Sequence, residues 1–264
     1  MISVAMIGHG AIGGWVARQF DDDDTVKISH VLCRPGRESA AEEVIRGAGA
    51  ITHTDQLDEK VDYVVECAGH AALINHGPEI LLRGIDLGIV STGAFADELV
   101  SSQLMAAASQ AGSHIDLLSG AIGALDALSA AKQGGLATVQ YIGRKPPVGW
   151  IGSVAEEVID LDNVENPTVH FAGNARDAAR KYPKNANVAA SVALAGIGLD
   201  KTEVTLIADP KITKNQHEVR AEGRFGDFTF MIEGNTLPNN PKTSALTAMA
   251  VVKAIRNRAS TIRL

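Results

Sequence analysis

Residues 8–13, Gly-His-Gly-Ala-Ile-Gly, hold the first spacing in this chain that can do chemistry. A pyrophosphate needs backbone N–H groups it can approach closely, and only residues without Cβ allow both the tight turn and that approach. Gly8 takes the turn, Gly10 admits the phosphates and Gly13 lets a helix lie against the preceding strand, while Ala11 and Ile12 supply first-turn amides at the positive end of the helix dipole. The apolar run Ile2, Val4, Met6, Ile7 precedes the turn, and Ile12, Val16, Phe20 follow at helical spacing. Strand, glycine turn and helix in that order predict a dinucleotide site rather than an ordinary turn.

A second strand over residues 27–32 ends in Cys33-Arg34-Pro35-Gly36-Arg37. An acidic residue there would hold the adenosine ribose hydroxyls of NAD, and none is present. An arginine in that place stacks on adenine and pairs with a 2′-phosphate, so Arg34, with Arg37 beside it, predicts that NADP is accepted. NAD stays compatible, because backbone groups can also hold a diol. The competing reading is a solvated basic turn.

The later half offers proton chemistry. His217 begins a strand after the polar turn 211–216. A histidine at a strand end facing a cleft titrates near neutral pH and exchanges protons with a substrate, although alone it reads as readily as a surface residue. In Lys181-Tyr182-Pro183-Lys184-Asn185-Ala186-Asn187 a proline ends one helix ahead of two amides able to cap the next. A helix start is also an amide and anion site, so one of these asparagines can hold a nicotinamide carboxamide. Other histidines have plainer settings: His9 in the glycine turn, His30 in a strand, His53 and His70 at element ends, His76 on a helix. Cys33 and Cys67 lack metal-ligand spacing and read as reduced thiols, the carboxylate run 21–24 reads as a solvated loop, and no metal is expected.

The hydrophobic pattern describes the scaffold these residues need. Helical patterns over 38–47, 70–83 and 97–111 alternate with apolar runs at 62–67, 85–90 and 114–118. That alternation predicts a Rossmann-type, doubly wound parallel sheet, whose ligands bind beyond the carboxyl ends of the strands. Those ends are 8–13, Cys33-Arg34, Ala68-Gly69, Ser91-Thr92-Gly93 and Ser119-Gly120-Ala121-Ile122, rich in small residues. After residue 122 come a helix at 124–133, an extended run at 139–143, and runs 202–208, 217–222 and 228–233 that alternate with period two, the last two joined as a hairpin. They predict a second, α+β domain on a mainly antiparallel sheet, covered by helices near 174–182 and 186–197. The expected division is a dinucleotide-binding domain over 1–121, a substrate and catalytic domain over 122–240 that is also a candidate for dimerisation, and 241–264 as a helix packing back on the first domain.

The 264 residues are 45% hydrophobic and 21% charged, with a net charge of −7. That balance, with no Lys/Arg stripe, argues against a nucleic-acid partner. The chain enters its first strand without a basic leader and has no apolar run of membrane-spanning length, so a cytoplasmic protein away from the membrane is expected. The apolar second sheet predicts a homodimer.

The glycine turn, SGAIGALDAL at 119–128, KYPKNANVAA at 181–190, His217 after its polar turn and PKTSALTA at 241–248 together resemble the L-aspartate dehydrogenase family over nearly the whole chain. The resemblance implies reversible NAD- or NADP-dependent oxidation of L-aspartate to iminoaspartate, which hydrolyses to oxaloacetate and ammonia or feeds NAD biosynthesis. It also implies Ala121 and Asn187 as cofactor contacts and His217 as the active-site residue. Hydride leaves Cα only when the amine is neutral, and an imidazole of unperturbed pKa about 6.5 can accept the proton at mildly alkaline pH. The two substrate carboxylates need cationic or amide partners, with Arg144, Lys145, Lys184 and the backbone at Ser119-Gly120 and Thr92-Gly93 as candidates. Spacing does not rank them, and Lys145, ahead of two prolines, reads equally as exposed. Two rivals share the pattern: a dehydrogenase or reductase of the homoserine dehydrogenase or dihydrodipicolinate reductase kind, and a non-catalytic dinucleotide sensor, which has no need of His217.

Overall fold

A computed structural model describes residues 1–238 and 240–263, and of Pro241 and Lys242, which open the PKTSALTA stretch, the backbone alone. The chain forms two compact units, Met1–Leu118 with Thr247–Leu264, and Ser119–Leu246. The divisions thus fall at 118/119 and 246/247, against the expected 121/122 and 240/241.

The first unit runs β1 (Ile2–Ile7), α1 (Ala11–Ala17), β2 (Val26–Leu32), α2 (Glu38–Val44), β3 (Gly49–Ile51), β4 (Tyr63–Glu66), α3 (His70–Leu82), β5 (Asp86–Ile89), α4 (Glu98–Ala111) and β6 (Ile115–Leu117). All six strands are parallel, in the order β3-β2-β1-β4-β5-β6. This is the doubly wound sheet expected. β1 is central, and Val4 to Ile7 are buried on both faces, which is why this stretch and Tyr63-Val64-Val65 read as unbroken apolar runs. The strand order reverses between β1 and β4, so the ligand crevice of such a sheet opens at the end of β1. α4 starts at Asp97, whose carboxylate accepts from Leu99 N–H at 2.9 Å.

The second unit contains α5 (Leu125–Gly134), β7 (Leu136–Lys145), α6 (Ala155–Val158), β8 (Thr168–Asn174), α7 (Ala175–Lys181), α8 (Asn187–Ala195), β9 (Glu203–Ala208), β10 (Asn215–Gly223), β11 (Gly226–Gly234), β12 (Thr236–Leu237) and β13 (Asn240–Ser244). β12 and β13 pair by themselves, and the five longer strands form one sheet in the order β11-β10-β7-β9-β8. Every pair in it is antiparallel except β7 with β9. One face packs Val139, Tyr141, Val204, Leu206, Val219 and Ala221 into a core with the alanine-rich helices α7 and α8. The small side chains bring helix and sheet close together, and the large volume comes from Trp150, Tyr141 and Tyr182.

The last helix, α9 (Ala245–Ala259), belongs to the first unit from Thr247 onward. Its Arg258 donates to Asp86 and Asp116, each at 2.6 Å, and lies 4.5 Å from the centre of the Tyr63 ring. Among the described residues no helix is long and apolar enough to cross a membrane.

Candidate functional site

In the first unit each glycine of the turn has a separate physical job. Gly8 has φ +92°, and a Cβ there would sit 2.7 Å from the Ala68 Cβ, so both the turn and the approach of the β4 end require glycine. A Cβ on Gly13 would run into the Gly8 carbonyl, whereas one on Gly10 would meet nothing within 4 Å. The space over Gly10 is open. α1 begins with Gly10 as its cap, carries no side-chain cap bond, and makes its first intrahelical bond from Gly14 N–H to Gly10 C=O at 2.9 Å. The amides of Ala11, Ile12 and Gly13 precede that bond, as an anion-binding helix start requires.

Beside this turn, Arg34-Pro35-Gly36-Arg37 closes on itself through Arg37 N–H to Arg34 C=O at 3.1 Å, with Gly36 at φ +79°. Both arginines are exposed. The pKa of His9, inside the glycine turn, is lowered by burial and then by Arg37 and Arg34, so both guanidinium groups project a positive field onto the turn. Sequence reasoning passed over Glu66. This carboxylate is fully buried at the end of β4 and accepts from Ala68 N–H at 2.7 Å, Gly69 N–H at 2.6 Å and Ser91 N–H at 3.1 Å. It ties the ends of β4 and β5 together, and its signal was an acid inside an otherwise apolar strand.

In the second unit, β7 places Val139, Tyr141, Gly143 and Lys145 on one buried face because side chains alternate along a strand. β10 pairs so that His217 lies opposite Gly143. His217 is 4% exposed, neither a surface residue nor a loosely hydrated one. Tyr141 Oη and His217 Nδ1 are 2.7 Å apart, with the two rings 6.1 Å apart and 19° from parallel. Gly143 makes room for this pair, since a Cβ there would lie 2.8 Å from Tyr141 Oη. Burial, reinforced by the Lys145 ammonium, holds the His217 pKa down to about 3, well below the ordinary 6.5 of an imidazole. A buried imidazole near another cation cannot keep a proton at neutral pH.

Lys145 is itself buried, 8% exposed, which corrects the reading as an exposed residue before two prolines. The chain doubles back after Pro147, bringing Trp150 beneath the lysine, with Nζ 4.7 Å from its ring centre. Lys145 Nζ donates to Asn185 Oδ1 at 2.8 Å, and burial lowers its pKa to about 8. The asparagines are not helix caps: Ala186 caps α8 and no side-chain cap bond is made there, which leaves Asn185 to the lysine. His170 and Tyr182 complete the cluster, His170 Nδ1 lying 3.1 Å from Tyr182 Oη and its ring 4.3 Å from that of Trp150. Among the other carboxylate candidates, Arg144 points away and donates to Asp209 at 2.8 Å, and Lys184 is exposed. Ala121 is buried in the core of this unit, and Asn187 opens α8.

Residues 126–258 match the family described as "Aspartate dehydrogenase, C-terminal", and residues 8–117 the one described as "Homoserine dehydrogenase, NAD binding domain". The L-aspartate dehydrogenase of Ruegeria pomeroyi is 49% identical over 99% of this chain and 94% of its own length. The chain belongs to the aspartate dehydrogenase family. A second L-aspartate dehydrogenase, from Cupriavidus necator, is 47% identical over 100% of both chains. The crystal structure of aspartate dehydrogenase from Thermotoga maritima superposes with a TM-score of 0.80 at 28% identity, covering 100% of this chain and 99% of that one. In this member of the aspartate dehydrogenase family the glycine turn and Arg34 fall inside the match to the NAD binding domain, and Tyr141, Lys145, Asn187 and His217 inside the match to the C-terminal part.

Proposed function

We propose that this protein is an L-aspartate dehydrogenase, interconverting L-aspartate and iminoaspartate with NAD or NADP. The imine hydrolyses to oxaloacetate and ammonia or passes on as a precursor in NAD biosynthesis. The observation that carries the reading is the neutral, buried imidazole of His217 held by Tyr141 in a chain of this family.

The glycine turn fits a dinucleotide, because Gly10 leaves the phosphate position open and the α1 amides face it without a side-chain cap. Gly8, Gly10, Ala11, Ile12, Gly13 and Ala68 would hold it, Arg34 would meet a 2′-phosphate, and the family adds Ala121 and Asn187. When bound, the nicotinamide supplies the hydride acceptor. His217 has a separate task, keeping the substrate amine neutral so that its lone pair can form the imine. That requires a free Nε2 lone pair, hence the tautomer whose Nδ1–H donates to Tyr141 Oη. Burial and Lys145 disfavour the imidazolium, so His217 passes the proton on instead of storing it.

The test is oxidation of NADH and NADPH with oxaloacetate plus ammonium, set against aspartate semialdehyde and against no substrate. His217→Ala should lose on the order of 10²- to 10⁴-fold in turnover with cofactor affinity retained. Equal loss of both would count against a catalytic imidazole, and preference for the semialdehyde would favour the homoserine dehydrogenase alternative.

A further inference from the structure

Lys145 is a buried ammonium that the fold leaves without a counter-charge: among the described residues its partners are Asn185 Oδ1 at 2.8 Å and the face of Trp150, and neither is an anion. A lysine has three N–H donors, and one of them is spent. An unpaired buried charge is costly, and an apolar chain of the same length would fill this place without that cost. Close by, His170 Nε2 is buried with no hydrogen-bond partner among the described residues. The cluster therefore has spare donors and an excess positive charge.

We propose that Lys145, oriented by Asn185, anchors one carboxylate of the dicarboxylate substrate. The identity of that substrate rests on the aspartate dehydrogenase reading; the anion site rests on the geometry of the second unit alone. Register supports the pairing of roles. His217 lies opposite Gly143, and Lys145 is two residues farther along β7 on the same face. Such diagonal neighbours stand about 7–8 Å apart, a separation that a short substrate spans by offering its amine to one residue and a carboxylate to the other. Arg144, the adjacent cation, faces the opposite side of the sheet and is already paired with Asp209.

A second consequence follows from the field at His217. The Lys145 ammonium is one of the two causes that hold this imidazole neutral, and a carboxylate against the ammonium cancels that contribution. Dicarboxylate binding thus raises the basicity of His217 at the moment it is needed, and a ligand without the carboxylate does not.

The experiment compares the full-length parent with Lys145→Met and Lys145→Arg. Three quantities are read: the KM for oxaloacetate with ammonium, the NADH affinity, and calorimetric binding of succinate against butyramide, which carries no carboxylate. Lys145→Met should raise KM and weaken succinate by about 100-fold or more, the effect of truncating one partner of a buried charge pair, while NADH and the uncharged butyramide stay within about two-fold. Lys145→Arg should recover part of the succinate binding, and Asn185→Ala should lose about ten-fold through a poorly aimed ammonium. Succinate binding within about three-fold of the parent in Lys145→Met would overturn the anchor. A parent that binds succinate through Lys145 yet turns over no oxaloacetate would instead overturn the proposed activity and leave the anchor standing.

Discussion

Replacing Lys145 by methionine should make the protein more stable, and the size of the gain follows from the lysine's own titration. Burial lowers its pKa from 10.5 to about 8, which corresponds to a charge-burial cost of about 3 kcal/mol at neutral pH. Methionine loses the bond to Asn185, worth about 1 kcal/mol, but carries no charge and fills a similar volume. The net gain is therefore about 2 kcal/mol, or about 4–8 °C in Tm for a chain of this size. Below pH 8 the lysine is charged in both folded and unfolded chains, and the parent bears the full cost. Between pH 8 and 10.5 the folded chain sheds its proton first and the unfolded chain binds more, so the parent's stability rises and the gap to the variant closes. The groups around Lys145 do not confuse this window. His170 and His217 are neutral there, with pKa values lowered by burial to about 4 and about 3, burial raises the Tyr141 and Tyr182 hydroxyls, and Asp209 is held in its ionised form. Urea unfolding of parent and variant at pH 7 and pH 10.5 measures it. A variant less stable than the parent at pH 7, or a difference that does not change with pH, would refute the claim that the fold carries an uncompensated ammonium.

Arg34→Ala should weaken NADPH about 10- to 100-fold more than NADH in fluorescence titrations, through loss of charge-assisted bonds to the 2′-phosphate; equal weakening would remove that role. Gly143→Ala brings a Cβ within 2.8 Å of Tyr141 Oη and should cost turnover about ten-fold or more while NADH binding holds, and unchanged turnover would show that the Tyr141–His217 contact does not matter to the reaction. Glu66→Gln turns an amide N–H against backbone donors and should destabilise the first unit by about 2 kcal/mol in urea unfolding, with both cofactors weakened alike; a change under about 0.5 kcal/mol would mean that the carboxylate does not hold the strand ends.

What could be read from the chain depended on whether a constraint was local. The glycine turn was legible because Gly8 and Gly13 answer to backbone geometry within a few residues, and β1, β4, β10 and β11 because their burial follows directly from hydropathy. β3 was missed since three residues hold too little pattern, and β8 since a register shift between Val169 and Phe171 breaks its alternation. His217 was singled out by its type and place, but its surroundings were not legible, because strand register brings β7 beside β10 and sets Tyr141 against a residue 76 positions away.

The misreading of Lys145 has the same root. A lysine before two prolines looks like a loop, and only the alternation of β7 continued to its final residue puts the side chain on the core face. Along that face Tyr141, Gly143 and Lys145 occupy positions where an apolar core would take branched aliphatic residues. Each alone is a small departure from the strand pattern. Together they put a hydroxyl and a gap against one histidine and an ammonium in its field. Positions where a buried face departs from its own hydrophobic pattern are where function is expected to override the demands of folding.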